Sequence, residues 1–403
     1  MSRKFVILRT PDDSGPEPSR GADRSAGGGP GPGLPRAGTA ASAAPQIEVG
    51  TTSAREARDL LRGGQARAIA PAMPVKLIEP VATPGAGLRA ADPVWGIGAV
   101  GASTSPFTGQ GVVVAVLDTG IDPAHAAFAG VQLERRNFTS EGPDDSHGHG
   151  THCAGTIFGR EVDGQRIGVA PGVTRAMIGK VLGNGGGGSD IVAEAIQWAV
   201  HGGAHVISMS LGIDFPGYVK ELLEQDVPPE LATSMALEGY RANVALFEHL
   251  AAFIAARAQF AQPSLLIAAA GNESQRDVST DFEIGVSPPA TAEGIVSVAA
   301  LRQVAERYGV APFSNTGARI SAPGVGVLSA KRGGGLIAKS GTSMATPHVA
   351  GVVALWAHKL IDDGDFRSTT LQDQLFGSAS RAKLQTGFDP NDVGAGMAQA
   401  PQG

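Results

Sequence analysis

The sequence predicts an α/β protein built on a doubly wound, mainly parallel sheet. From Trp95 onward, compact aliphatic runs end at Gly, Asp or Asn, as buried parallel strands do: VVVAVLD, AMIGKVL, HVISMSLG, SLLIAAAGN and IVSVAAL. Helix candidates lie between them: THCAGTIFG, DIVAEAIQWAVHGG and TSMATPHVAGVVALWAHKL. This alternation indicates right-handed βαβ crossovers, so we expect polar chemistry at the carboxyl ends of the strands.

The first 94 residues follow a different pattern. Residues 1–10 contain a strand candidate, KFVILR, and residues 11–45 are rich in Gly, Pro, Ala and Ser, which predicts a flexible linker. Residues 46–94 contain a strand candidate (QIEV), a helix candidate (AREARDLLR) and a second apolar stretch (MPVKLIEP). Ser53 and Glu56 form a capping-box pattern at the start of the helix candidate. These features predict a small α+β unit.

The composition of the chain limits which binding partners and which cellular compartments we expect. The formal net charge of −6 over 403 residues provides no basic stripe, so we do not expect nucleic acid as a partner. Apolar runs are shorter than a membrane span requires, and MSRKFVILRT lacks the apolar core of a secretory signal. We expect a soluble protein that is cytoplasmic or exported by a non-Sec route. Cys153 is the single cysteine, so an intramolecular disulfide is excluded.

Three residues have the chemistry of a serine nucleophile and its helpers. Asp118 closes the strand candidate VVVAVLD, His149 lies in DDSHGHGTHCAGT, and Ser343 lies in a small-residue turn that leads into an apolar helix. Nucleophilic serine chemistry needs an attacking hydroxyl, a base that moves its proton, and a carboxylate that orients the base. A serine at a helix N-terminus also has backbone N–H groups available to an oxyanion.

The segments VLDTGID, HGTHCAGT and GTSMATPHVAG resemble the Asp, His and Ser signatures of the subtilase family (peptidase family S8), in the same chain order. The resemblance spans residues 95–403. It implies a three-layer α/β domain with a mainly parallel seven-stranded sheet. It also implies a serine endopeptidase that hydrolyses internal bonds of protein or peptide substrates with a catalytic triad of Asp118, His149 and Ser343, and that requires no cofactor for this chemistry.

The same resemblance implies further site residues. The segment AAAGNE matches the family's oxyanion motif, which makes Asn272 the side-chain donor beside the backbone N–H of Ser343. Two backbone edges would hold an extended substrate between them, next to a broad pocket for an apolar or mixed side chain. The residues implied in these edges and in the pocket are Gly185, Gly186, Gly187, Ser210, Leu211, Gly212, Ala269, Ala270, Gly271 and Ser287. Relatives have a cis bond near Pro288-Pro289.

Other interpretations of individual residues remain open. His147, His149 and His152 could be zinc ligands, but their spacing lacks the Glu of a zincin helix, so we predict no metal ligands. Calcium is common in the family as a structural ion, but the pair Asp144 and Asp145 has no recognisable ligand pattern. For Cys153 we favour inert packing, with the hypothesis that a bulky mercurial would inhibit by displacing the helix of His149.

Two regions lie outside the compact family pattern. Residues 46–94 resemble a propeptide, which implies a zymogen whose own N-terminal region is an intramolecular inhibitor until it is cut between about Glu79 and Trp95. The alternative is a permanently attached domain. Residues 216–262 are a helical insertion, interpreted as a surface helix pair or as a lid or docking surface that narrows substrate choice.

Rival functions use the same scaffold. The chain could be a substrate-restricted maturation protease or a macrocyclising peptidyl transferase. A third alternative is a pseudoenzyme that only binds peptides, which the presence of all four catalytic residue types disfavours.

Overall fold

The computed structural model of the protein describes residues 2–9, 46–81, 94–258 and 262–403. The strands are β1 (Ser2–Arg9), β2 (Gln46–Ser53), β3 (Ala66–Pro71), β4 (Pro74–Leu77), β5 (Val113–Asp118), β6 (Gln132–Asn137), β7 (Arg175–Lys180), β8 (Gly187–Gly188), β9 (Val206–Met209), β10 (Leu211–Ile213), β11 (Leu265–Ala269), β12 (Ile295–Val304), β13 (Arg307–Val310), β14 (Ile320–Pro323), β15 (Val327–Ala330) and β16 (Leu336–Lys339). The helices are α1 (Ala54–Arg62), α2 (Trp95–Ala99), α3 (His149–Phe158), α4 (Ser189–His201), α5 (Phe215–Glu224), α6 (Pro229–Arg257), α7 (Thr342–Asp362), α8 (Ser368–Ser378) and α9 (Pro390–Val393). The expected linker over 11–45 lies outside the described residues.

A mainly parallel sheet forms the centre of the larger unit. Its strand order is β13-β12-β11-β9-β5-β7-β6, and β14 pairs with β12 beside β13. All the neighbouring pairs are parallel except β12 with β13. The β-branched and aliphatic residues of β5, β9 and β11 are buried, because helices cover both faces of a parallel sheet.

Helices pack on both faces and make three layers. One core contains residues of α3, α7 and α8, such as Ile157, Val352 and Leu371. The other core contains residues of α4 and α6, such as Ile196 and Leu250. The three-layer α/β fold predicted from the sequence is therefore confirmed. No helix in the described part of the chain is long and apolar enough to cross a membrane.

The N-terminal residues form a small unit of their own. The strands β2, β1 and β3 pair antiparallel, and α1 packs against them. The expected capping box is present, since Ser53 Oγ accepts from Glu56 N at 3.2 Å and a Glu56 carboxylate oxygen accepts from Ser53 N at 2.9 Å. The sequence analysis missed β3, whose run ARAIAP is short and interrupted by an arginine.

The helices α5 and α6 connect this small unit to the larger one. They lie between β10 and β11, and α6 packs against β3. Asn243 of α6 is fully buried, and its Nδ2 donates to Pro71 O at 2.9 Å. Strand β4, which follows β3, does not join the N-terminal sheet. It pairs with β10 and β8 of the larger unit instead.

Candidate active site

The carboxyl end of β5 presents Asp118 to the first residue of α3, His149. With a proton on Nδ1, His149 donates to Asp118 Oδ1 over 2.8 Å, and both side chains are buried. Burial, the largest single influence, would lower the pKa of His149, but the Asp118 carboxylate and the neighbouring Cys153 sulfur together outweigh it and raise the pKa well above its usual value. The start of α3 lies so close to the chain after Asp118 that position 150 requires glycine, because a Cβ there would lie 2.1 Å from Gly120 O.

Asp145 fixes the turn that begins α3. Its Oδ1 accepts from Gly148 N at 2.7 Å and from Thr119 Oγ1 at 2.9 Å, and its Oδ2 accepts from Thr151 Oγ1 at 2.6 Å. Burial would raise the pKa of Asp145, but the hydrogen bonds from Thr151 and Gly148 outweigh it and lower the pKa. The carboxylate therefore bridges the Asp118 strand end and the His149 helix. The sequence analysis missed this role, although an aspartate four residues before His149 was a usable signal.

Ser343 lies in the first turn of α7, where backbone N–H groups have no partner within the helix. Its Oγ donates to the carbonyl oxygen of Ile78 over 3.0 Å. Within the described part of the chain, His149 Nε2 is buried and accepts no hydrogen bond. The hydroxyl of Ser343 is thus bonded to a peptide carbonyl, and the nitrogen that could take its proton is unengaged.

Asn272 follows β11 and is positioned by α7. Its Oδ1 accepts from the backbone N and the Oγ1 of Thr342, at 2.8 and 2.9 Å. Asn272 Nδ2 donates to the carbonyl oxygen of Glu79 over 2.9 Å. The amide orientation is thereby set, because the oxygen is engaged by the α7 N-terminus and the donor points at the chain beside Ser343.

An extended piece of the protein's own chain occupies the groove between β10 and β8. Strand β4 pairs antiparallel with β10, with Lys76 opposite Gly212 and Leu77 opposite Leu211. On its other edge Val75 pairs with Gly187, and Pro74 with Gly188. One residue further on, Ile78 N donates to Ser210 O over 3.5 Å. This three-stranded arrangement is β-augmentation, and it delivers Ile78 to Ser343.

Most of the predicted substrate-binding residues adjoin this segment. Ser210, Leu211 and Gly212 bond or pair with it directly, and the Gly187 backbone pairs with it on the opposite edge. Gly186 approaches so closely that a Cβ there would lie 2.6 Å from Val75 O, while Gly185 lines the groove beside it. The sequence analysis missed Gly188, which completes the ladder, because a run of four glycines has no feature that sets its register.

The predicted pocket residues surround the Ile78 side chain only in part. A Cβ on Gly212 would lie 3.6 Å from Ser287 Cβ and 3.8 Å from Ile78 Cδ1, so these three residues are neighbours. Ser287 N donates to Ala270 O over 3.2 Å, which places the buried end of β11 behind Ser287. Ala269 and Ala270 are fully buried. Gly271 adjoins Asn315, because a Cβ added to Gly271 would lie 2.2 Å from Asn315 Nδ2.

The neighbouring Pro288-Pro289 bond is cis, as the resemblance predicted.

Cys153 lies beside His149. Its Sγ is 3.7 Å from His149 Nδ1 and 3.4 Å from Ser343 O, and it is buried. Burial raises the pKa of the Cys153 thiol, so the thiol is protonated at neutral pH. The cysteine side chain thus contacts both the residue of the candidate base and the residue of the candidate nucleophile.

In the part of the chain that the structure describes, His147, His149 and His152 do not form a cluster of possible metal ligands with one another. Among the described residues, only Asp118, His149 and Cys153 form a cluster of three or more side chains that could ligate a metal. His152 Nε2 instead bonds to the carbonyls of Val327 and Ile337, and burial lowers its pKa to about 3.

The aspartates considered for calcium do not fit that ion either. Both carboxylate oxygens of Asp145 accept hydrogen bonds from the turn that begins α3, and Asp144 pairs with Arg135 at 2.5 Å.

Comparison with known proteins decides the family. Residues 109–396 match the model of the subtilase family. The chain belongs to this family. This subtilase is 34% identical over 298 residues to an intracellular serine protease of Paenibacillus polymyxa, which covers 72% of this chain and 79% of that relative. It is 32% identical over 289 residues to the major intracellular serine protease of Bacillus subtilis. That match covers 68% of this chain and 77% of the relative.

A solved structure gives the same relationship. The subtilase resembles fervidolysin from Fervidobacterium pennivorans, a keratinolytic enzyme related to subtilisin, with a TM-score of 0.59 and 25% identity. The match covers 83% of this chain and 51% of fervidolysin, so the chain spans about half the length of that relative. The protein is a subtilisin-like serine protease, of a family that needs no cofactor for its chemistry.

Proposed function

We propose that this subtilase hydrolyses internal peptide bonds, with Ser343 as nucleophile, His149 as general base and acid, and Asp118 as the group that orients His149. The observations that carry the proposal are the buried Asp118–His149 hydrogen bond of 2.8 Å and a serine hydroxyl that contacts a peptide carbonyl at 3.0 Å. A neutral His149 with its proton on Nδ1 has Nε2 free to accept the Ser343 proton as Oγ attacks the carbonyl carbon.

The oxyanion formed by this attack needs donors that are already in place. Asn272 Nδ2 is held toward the reacting chain by the two bonds that Thr342 donates to Asn272 Oδ1. The backbone N–H of Ser343 at the α7 N-terminus provides the second donor. When the carbon–nitrogen bond breaks, His149 returns the proton to the leaving amine, and water then hydrolyses the acyl-enzyme by the reverse sequence. Apart from this water, the proposed steps use only side chains and backbone groups of the protein.

We propose that substrates take the place of the chain from Pro74 to Glu79. An extended peptide would form backbone hydrogen bonds with β10 on one side and with the 185–188 edge on the other. The pocket near Gly212 and Ser287, which receives Ile78, would take the side chain of the residue whose carbonyl is attacked. Because Ile78 is aliphatic and 3% exposed, we expect a preference for apolar side chains at that position.

The N-terminal region is proposed to be an intramolecular inhibitor. Its support is the occupied groove, together with the mismatch between the two reacting groups: Ser343 bonds to the carbonyl of Ile78, whereas Asn272 bonds to that of Glu79. A carbonyl that is not held by the oxyanion donor is not polarised for attack, so this binding mode blocks the groove without rapid cleavage. The contact of Asn243 with Pro71 supports docking of the N-terminal unit on α6.

We retain the hypothesis of self-cleavage between about Glu79 and Trp95, most of which lies outside the described residues. Mass spectrometry of purified wild-type and Ser343→Ala protein tests it. The wild-type chain should shorten within this stretch, and Ser343→Ala should stay intact. A Ser343→Ala chain that shortens by itself to the same product would contradict the hypothesis.

A peptide library tests hydrolysis itself. Wild-type protein should cut library members at internal bonds, and Ser343→Ala or His149→Ala should lower turnover on the order of 10⁶-fold, as for the corresponding unit in subtilisin. Adding amine nucleophiles separates hydrolysis from peptidyl transfer, because a transferase would yield ligated product. Cleavage of a single partner protein but of no library peptide would favour a maturation protease.

We further propose that the protease acts inside the cell, because two of its relatives are named intracellular proteases. Fractionation of the native host should recover the activity with cytoplasmic markers. Activity found mainly in the culture medium would support export instead.

A further inference from the structure

An ion pair joins the segment in the groove to the start of the helical insertion. Lys76 Nζ lies 3.4 Å from Asp214 Oδ1. Lys76 is two residues before Ile78, whose carbonyl accepts the Ser343 hydroxyl. We propose that Asp214 is a specificity-determining residue that selects substrates with Lys or Arg two residues before the residue at Ser343. This inference rests on the proposal that substrates bind in the place of β4.

The backbone pairing explains why the Lys76 side chain contacts Asp214. Lys76 pairs with Gly212, which has no side chain to contact it. Asp214 follows the end of β10, and its backbone N donates to Pro74 O over 2.8 Å, so its position relative to the bound chain is fixed by the same ladder. A substrate in this register would bring its own side chain to the Asp214 carboxylate.

The insertion orients the carboxylate before a substrate arrives. Asp214 is the N-cap of α5, and its Oδ1 accepts from Gly217 N over 3.2 Å. A carboxylate held in this way loses little further freedom when a cation binds, which favours discrimination between substrates. The inference therefore gives the α5–α6 insertion a part in substrate choice.

The charged residues along the groove agree with a preference for positively charged substrate side chains. Among the described residues that line it, the charged or titratable side chains are Lys76, Glu79, His147 and Asp214. The first two belong to the bound segment, so Asp214 is the acidic group of the groove wall. The Glu79 carboxylate lies near His147 instead, with 3.6 Å between Glu79 Oε2 and His147 Nε2.

The exposure of the Lys76 and Asp214 side chains determines how strong a substrate preference we expect. The side chains of Lys76 and Asp214 are 44% and 27% exposed, and such pairs discriminate weakly because solvent screens them. We expect kcat/KM to be roughly 3- to 5-fold higher for lysine than for glutamine at this position, and about 10-fold higher for lysine than for glutamate. Raising the salt concentration should reduce both ratios.

The test uses full-length protein and three acetylated peptide anilides, Val-Lys-Leu-Ile, Val-Gln-Leu-Ile and Val-Glu-Leu-Ile. In Asp214→Asn protein the lysine-to-glutamate ratio should fall to about 2 or below, and Asn still caps α5. Asp214→Lys should reverse the order. A ratio that is unchanged in Asp214→Asn, or a wild-type protein that cuts all three peptides equally, would overturn the inference.

Binding separates this inference from the proposed hydrolysis. The same three peptides, labelled and in amide form, are titrated into Ser343→Ala protein, with and without Asp214→Asn, and fluorescence anisotropy gives the affinities. The protein's own segment competes equally with each peptide, so the ratios of affinity are preserved. If no anilide is cut, the hydrolysis proposal fails, while the affinity order still supports or refutes the role of Asp214.

Discussion

Truncating Ile78 tests whether the N-terminal segment holds the groove closed. Ile78 is 3% exposed and packs beside Gly212 and Ser287, outside the two large cores, so Ile78→Ala should fold normally. Removing three buried carbons of an aliphatic side chain costs about 2 to 3 kcal/mol. This corresponds to a segment that binds its groove roughly 30- to 150-fold more weakly.

The assay is the initial rate of hydrolysis of a chromogenic peptide by full-length protein, with the chain length checked by mass spectrometry at the same time point. If the closed form dominates in the wild-type chain, the rate of the intact Ile78→Ala chain should rise by up to the same factor. Leu61→Ala is the control, because Leu61 is an aliphatic residue of the N-terminal unit that lies outside the groove and is 40% exposed. Its rate should stay at the wild-type value.

Equal rates for intact wild-type and Ile78→Ala protein, at equal concentrations of reactive serine, would refute autoinhibition through this contact. A rise of the same size in Leu61→Ala would also refute it, because the effect would then come from a general loosening of the N-terminal unit.

Three further predictions concern the catalytic groups. Asn272→Ala should lower kcat about 10²- to 10³-fold with little change in KM, because the amide acts on the oxyanion; a change confined to KM would contradict this role. Asp118 raises the pKa of His149 against the effect of burial, so kcat/KM should fall as the pH drops through that raised pKa, where the base becomes protonated. Asp118→Asn should move this acidic limb to lower pH and cost about 10⁴-fold in rate, and a limb that stays in place would exclude His149 as its origin. A bulky mercurial should inactivate the wild-type protein and spare Cys153→Ala, since the thiol lies 3.7 Å from His149 Nδ1; full activity with a demonstrably modified thiol would rule this out.

The parallel sheet and its helices were predictable because each element has a local signature. Buried strands appear as aliphatic runs, and α1 begins with a capping box that needs only Ser53 and Glu56. Asp118 was recognisable as a strand-end carboxylate. The positions of Asp118, His149 and Ser343 relative to one another required the family resemblance, because no local pattern brings together residues so far apart in the chain.

The course of β4 could not be predicted from local patterns. The stretch MPVKLIEP has the composition of a strand, but its partners are the distant strands β8 and β10 rather than the N-terminal sheet. The contact of Ile78 with Ser343 joins residues 265 positions apart. The Lys76–Asp214 pair follows from the same pairing and was equally inaccessible to sequence reasoning.

Labelling with a fluorophosphonate tests the central claim, that His149 and Asp118 activate Ser343 as a nucleophile. Folded, active protein is treated with the reagent, and the modified residue is located by peptide mass spectrometry. The account predicts one adduct, on Ser343, that is absent in Ser343→Ala and strongly slowed in His149→Ala. Failure to label Ser343 in protein whose groove is open, or labelling that proceeds equally fast in His149→Ala, would contradict it.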